Sequence, residues 1–170
     1  YAVVEVTSEG ILQHRHRFLN FQGAVFTNLS PEHIERHGSF EKYREAKGKL
    51  FQSAKKLHVL NKDDENISYF LQFPAKEIVM YGIQEQHIQG ARFFLGENIQ
   101  SGQEGMRFSL EGTQFILKVL GEFNVSNALA AISCAFVQGV SLETAKKALE
   151  KMEVVPGRME QVVKTPFSIF

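Results

Sequence analysis

The chain has 170 residues, enough for one domain with a sizeable core. Its 19 basic and 19 acidic residues balance, so nothing in its charge favours nucleic acid or an anionic membrane as partner. A hydrophobic share of 44% fits a globular protein, no apolar run approaches the length of a membrane span, and the single cysteine, Cys134, excludes an internal disulfide and predicts a cytoplasmic setting.

Tyr1-Ala2-Val3-Val4-Glu5-Val6 is rich in valine and predicts a buried strand. Glu5 falls near its carboxyl end, where open parallel sheets bind ligands. A carboxylate there either caps a neighbouring helix or binds something. Thr7 to Arg15 then combines hydroxyls, the Gln13 amide and the Arg15 guanidinium. Arginine holds carboxylate or phosphate through two parallel hydrogen bonds, and glutamine both donates and accepts. On pattern alone, such residues usually just solvate a loop.

Asn20 to Phe26 reads as the next strand. It delivers a polar segment, Thr27 to Gly38, crowded with Glu and His and closed by a glycine. Ser39 is an N-cap, and Phe40, Tyr43, Leu50, Phe51 and Ala54 recur on one face of the helix that follows. Lys47 lies on that face. Its ammonium either snorkels to water or is drawn into a site beside His33.

Leu57 to Leu60 is a short strand, and Asn61 to Asn66 a polar turn. Asp63 and Asp64 read as part of that solvated turn, not as metal ligands. A helix over Ile67 to Leu71, a stop at Pro74 and a strand over Glu77 to Tyr81 follow. From His87 to Leu120 glycines punctuate short runs, with alternation over Met106–Leu110 and Phe115–Val119. This predicts an antiparallel meander appended to a parallel sheet. Gly121-Glu122-Phe123-Asn124 opens a helix whose buried face is Val125, Ala128, Leu129, Ile132, Ala135 and Phe136, with Cys134 as a small core residue. Asn124 and Asn127 share a side; alone they read as an N-cap and a surface asparagine. Gly139 ends this helix and Ser141 caps the next. Val155-Pro156-Gly157-Arg158-Met159-Glu160 presents Arg158 on a loop, and Phe167 to Phe170 reads as a last strand. Both ends fall inside apparent strands, without an initiator methionine or a Gly-x-x-x-x-Gly-Lys-Ser/Thr loop, so the expectation is a fragment of a longer protein.

Five of these segments together resemble the central domain of the Mur ligases, which build the peptide of the bacterial cell wall. The family shows Glu-x-Ser-Ser-His-Gly-Leu-x-Gln-x-Arg, and Glu5, Ser8, Gly10, Gln13 and Arg15 match it, while Thr7 keeps a hydroxyl and Glu9 replaces the histidine. It shows Thr-Asn-Leu-Ser, an acidic residue and His, a second acidic residue and His-Gly, matched over Thr27 to Gly38 with Glu32 and Glu35 where aspartates are common. An Ala-Lys pair follows, here Ala46-Lys47. Gly-x-Phe-Asn-x-x-Asn-x-x-Ala-Ala matches from Gly121 to Ala131, and Pro-Gly-Arg-Met-Glu matches from Pro156 to Glu160. Within the family the likeness is greatest to the ligases that add the third residue.

The resemblance implies an α/β fold related to P-loop ATPases: a largely parallel sheet flanked by helices, with a small antiparallel sheet. It implies a central ATP-binding domain over 1–157, lacking its phosphate loop, and the start of a C-terminal domain over 158–170. The implied reaction joins diaminopimelate or lysine to a UDP-N-acetylmuramoyl-dipeptide, using ATP and Mg²⁺ through an acyl phosphate. Thr7, Gln13 and Arg15 would contact that substrate, Asn127 the adenine of ATP, and Arg158 its phosphates. Glu5, His33 and a carbamylated Lys47 would hold the metal, with Lys47, His33 and Arg158 as the catalytic set. The expected state is a cytoplasmic monomer. The alternatives are a sister ligase, a folylpolyglutamate synthase-type ligase, or a nucleotide-binding module without catalysis.

Overall fold

The computed structural model describes residues 1–31, 34–85, 91–103 and 105–152, the side chains of 34 and 35 excepted. His33, Glu32, the Arg158 loop and the expected strand at 167–170 therefore lie outside the described residues, as does the side chain of Glu35. The chain forms two compact units, Tyr1–Met80 with Ile88–Phe93, and Tyr81–His87 with Phe94–Phe170. Among the described residues no helix is long and apolar enough to cross a membrane.

In the first unit β1 (Gly23–Phe26) and β2 (Leu57–Asn61) pair in parallel, from Gly23 opposite Leu57 to Phe26 opposite Leu60. A parallel pair needs a crossover, and α3 (Phe40–Ser53) supplies it. Ser39 caps α3 as expected, its hydroxyl accepting from the Lys42 N–H at 3.3 Å. Tyr43, Ala46 and Phe51 form the buried face. Gly48 has no side chain for a reason: a Cβ would come within 2.8 Å of both Phe73 and Tyr69. Every residue of β2 is buried, as befits a strand covered on both faces. After β2 come α4 (Ile67–Leu71) and β3 (Glu77–Gly82). The core of this unit is aromatic: Phe26 stacks on Phe70 with centroids 4.0 Å apart, and Phe51 meets Phe70 edge-on at 4.9 Å.

β1, β2, β3 and β4 (Arg92–Leu95) make one sheet in that order. The Gly96 N–H donates to the Gly82 carbonyl at 2.9 Å, so β3 and β4 end side by side and run the same way. The second sheet is antiparallel, β5 (Glu97–Gly102), β6 (Gly105–Leu110) and β7 (Thr113–Leu117). The protein is α/β, with a largely parallel sheet flanked by helices and a small antiparallel sheet, as the sequence predicts. In the second unit α5 (Glu122–Val137) packs on β6, and α6 (Leu142–Glu150) on β7. Cys134 on α5 is half-buried, and burial pushes its thiol pKa up, which makes it inert.

Four local expectations are corrected. Tyr1 to Val6 is not a strand: Tyr1, Val3 and Val4 are largely exposed, and no described strand pairs with the segment. Valine favours the extended backbone, but a strand also needs a ladder partner. The expected loop after Thr7 holds a helix, α1 (Ser8–Leu12), because Thr7 caps it and the Ile11 side chain is buried beneath it. The meander starts later than expected, since β4 joins the first sheet. Its last strand begins at Thr113, before the expected Phe115, because Glu111 (φ 47°) and Gly112 (φ 76°) form the two-residue turn.

His58 sits on β2 without any solvent exposure. Its Nε2–H donates to the Ala54 carbonyl at 2.8 Å and the Phe51 carbonyl at 3.1 Å, while the buried Nδ1 has no partner among the described residues. Desolvation therefore lowers its pKa below the ordinary 6.5, against a smaller opposing pull from the two carbonyls. The unfolded chain then takes up the proton first. Stability from this group is complete above about 6.5 and is lost as pH falls, by up to about 1.4 kcal/mol per pH unit. Chemical unfolding at a series of pH values should show that slope, and His58→Gln should flatten it. Equal slopes in the two proteins would remove His58 as the source.

Candidate functional site

The first unit gathers most of the motif residues around α1, α2 (Ile34–His37) and α3. Thr7 accepts from the Gly10 N–H at 3.1 Å, which leaves its hydroxyl proton free to donate. At the other end of α1 the His14 N–H bonds the Ile11 carbonyl, and the Arg15 N–H bonds the Gly10 carbonyl at 2.8 Å. With His14 in the left-handed region (φ 60°) this is a Schellman cap. The cap fixes the backbone that carries Gln13 and Arg15, both exposed. A Cβ on Gly10 would lie 3.2 Å from the Thr7 hydroxyl oxygen, tighter than an ordinary contact, so the glycine gives the capping hydroxyl room. Arg17 and Lys49 add positive charge: with desolvation first and His14 next, they hold the His16 pKa below its ordinary value. An exposed arginine in that field suits an anion.

Lys47 projects from α3 and is half-buried. Its Nζ lies 5.5 Å from the centre of the Tyr43 ring. Burial pulls its pKa below the ordinary lysine range, and the Glu5 carboxylate nearby pulls the other way. Glu5 itself is exposed. No described group of three His, Cys, Asp or Glu side chains has the arrangement of a metal site.

The segment leading to His33 is anchored by a turn expected only to be solvated. Asp64 Oδ2 accepts from the Leu29 N–H at 2.8 Å, and the Asn61 and Asn66 amides donate to the Thr27 and Leu29 carbonyls. Asp64 is a backbone anchor. The partners are 34 to 37 residues apart, so no local pattern reveals them. Glu9, which stands where the family has histidine, forms an ion pair with Arg36 of α2. Both side chains are substantially exposed, so the pair contributes little to stability.

In the second unit Gly121 (φ 97°) is the N-cap of α5, not Asn124. The Asn124 amide instead donates to the Leu120 carbonyl at 2.8 Å. Asn127, one turn on, is exposed.

Residues 1–135 match the family model described as the Mur ligase middle domain. A UDP-N-acetylmuramoyl-L-alanyl-D-glutamate–2,6-diaminopimelate ligase of Halalkalibacterium halodurans is 36% identical over 178 residues, covering 99% of this chain and 36% of the relative. The corresponding L-lysine ligase of Staphylococcus aureus is 37% identical over 167 residues, covering 92% of this chain and 33% of the relative. A solved structure of a UDP-N-acetylmuramoyl-L-alanyl-D-glutamate–2,6-diaminopimelate ligase superposes with a TM-score of 0.81 at 27% identity, over 94% of this chain and 34% of that one. The chain thus spans about a third of the length of the curated relatives it matches. The matched residues take in α1, α2, α3 and most of α5, and the chain belongs to the Mur ligase family, as its central domain.

Proposed function

We propose that this chain serves, within a longer protein, as the ATP-handling domain of a ligase that adds diaminopimelate or lysine to UDP-N-acetylmuramoyl-L-alanyl-D-glutamate. Two relatives with those two products are almost equally similar, which supports the third-residue step and both amino acids alike. The single observation that carries the reading is the match of residues 1–135 to the Mur ligase middle domain.

In the proposed reaction the dipeptide carboxylate attacks the γ-phosphorus of ATP and ADP leaves. The incoming amine then displaces phosphate from the acyl phosphate. Charge gathers on phosphoryl oxygens, so positioning and cations matter more than a nucleophilic side chain. A depressed pKa leaves more of Lys47 as free amine, the form that adds CO₂ with loss of one proton. The product is an anionic carbamate with two oxygens. An ammonium in this position would repel a cation, whereas this donor set suits Mg²⁺, which prefers oxygen. Glu5, carbamylated Lys47 and His33 would hold it, and when bound it would neutralise phosphoryl charge. Thr7, Gln13 and Arg15 would orient the dipeptide substrate, Asn127 the adenine, and Arg158 the phosphates.

The test is a pair of substitutions in the full-length protein that contains this chain. Arg15→Ala should raise KM for the UDP-muramoyl-dipeptide, since losing a charge-assisted hydrogen bond costs about 1.5–3 kcal/mol, roughly a 10- to 100-fold change. Asn127→Ala should raise KM for ATP and leave kcat nearly unchanged, because adenine is held equally in ground and transition states. If both variants moved the same KM, one of the two assignments would be wrong.

A further inference from the structure

His37 closes α2 and is almost fully buried, as is Ser8 in the first turn of α1. The His37 Nε2 and the Ser8 Oγ are 3.0 Å apart, across 29 residues of chain. A neutral imidazole has one donor and one acceptor nitrogen, and a hydroxyl is both, so either tautomer makes this bond. The other side of the contact is α3. The rings of His37 and Tyr43 lie 5.1 Å apart at 44°, and Tyr43 is the ring that carries the Lys47 Nζ at 5.5 Å. Tyr43 and Lys47 are one helical turn apart, so they share a face and move as a unit. One buried imidazole therefore touches the helix that precedes Gln13 and Arg15 and the ring against which Lys47 rests.

We propose that His37 is a positioning residue for the ligation reaction: through Ser8 it fixes α1 and the substrate-orienting segment, and through Tyr43 it sets where the Lys47 amine stands relative to that segment. His37 does not touch substrate, and its effect passes through these two contacts. Rigid support of this kind matters because a misplacement of about 1 Å in a reacting group costs on the order of 10²-fold in rate. The exposed Glu9–Arg36 pair joins the same two helices but is too solvated to define a distance on that scale.

This inference rests on the ligase reading, and the experiment separates the two. In the full-length protein, His37→Ala should lower kcat on the order of 10²-fold with KM for ATP unchanged. His37→Gln, which offers an amide near the former Nε2, should recover much of that loss. Ser8→Ala should lower kcat in the same direction, and Ser8→Ala with His37→Ala should cost no more than His37→Ala alone. Incubation with ¹³CO₂ should give a carbamate ¹³C resonance that Lys47→Ala removes and His37→Ala weakens, a readout that loss of stability alone would not move while the protein stays folded. Wild-type kcat in folded His37→Ala, or fully additive effects of the two substitutions, would overturn the proposal. Absence of ligation by the wild-type full-length protein would overturn the ligase reading instead.

Discussion

Lys47→Ala in the full-length protein is expected to abolish ligation almost completely while the domain stays folded. The two halves of that result have separate causes. The fold survives because Lys47 is only half-buried and its Nζ lies 5.5 Å from the centre of the Tyr43 ring, outside the aromatic core. Removing it costs about 1 kcal/mol, an ordinary value for a partly exposed side chain. On the proposed reading, turnover collapses because the substitution removes the amine, and with it the carbamate that would form there. Loss of one preorganised electrostatic group typically lowers kcat on the order of 10²–10³-fold, and loss of a group that also helps hold a cation costs more. Short carboxylates such as acetate or formate should restore part of the rate, since they can occupy the vacated oxygen positions. Steady-state assays of the variant with and without acetate, alongside its thermal melt, check all three statements. An unchanged rate would end the carbamate assignment, and a lost rate with a lost melt would show a structural lysine.

Elements built from local rules were legible. Ser39 as a cap and the Phe40, Tyr43, Phe51 spacing identify α3, and Ile67 to Leu71 is helical over the expected range. Failures came where a partner distant in sequence decides the outcome. The valines of Tyr1 to Val6 carry strand propensity but meet no described neighbour strand. Helix α1 is five residues long, too short to show a period, and is held by its two caps. The candidate site divides in the same way. The Lys47 stripe was visible as a helical position, whereas Glu5 was read at the end of a strand that the structure does not form. The Ser8–His37 bond, the Asp64 anchor on Leu29 and the Glu9–Arg36 pair all join residues at least 27 apart. Nothing in the local sequence pairs them, although five of these six side chains are polar or charged and were in plain view.

Phe70→Ala should produce the largest loss of stability in the first unit. Phe70 has no exposed surface, and three rings close around it: Phe26 stacked at 4.0 Å, Phe51 edge-on at 4.9 Å and Tyr69 edge-on at 5.4 Å. Truncating a buried phenylalanine costs about 3–5 kcal/mol, the transfer free energy plus the cavity left behind. These rings come from β1, α3 and α4, so no single element can move in to fill the hole. Against a typical total of about 5–15 kcal/mol, the loss leaves the unit near its threshold. Phe70→Leu keeps most of the volume and should cost only about 1–1.5 kcal/mol. Native-state hydrogen exchange locates the effect: amides of β1, β2 and α3 should lose protection in Phe70→Ala, while those of β5, β6 and β7 should hold theirs. The consequence for function follows from Phe51, one turn beyond Lys47 on α3. A cavity beneath Phe51 loosens the turn on which the lysine stands, so Phe70→Ala should also lower kcat at temperatures where the protein is still folded, and Phe70→Leu should not. A cost below about 1 kcal/mol for Phe70→Ala, or protection lost equally in both sheets, would mean that the aromatic cluster does not hold the helix of Lys47 in position.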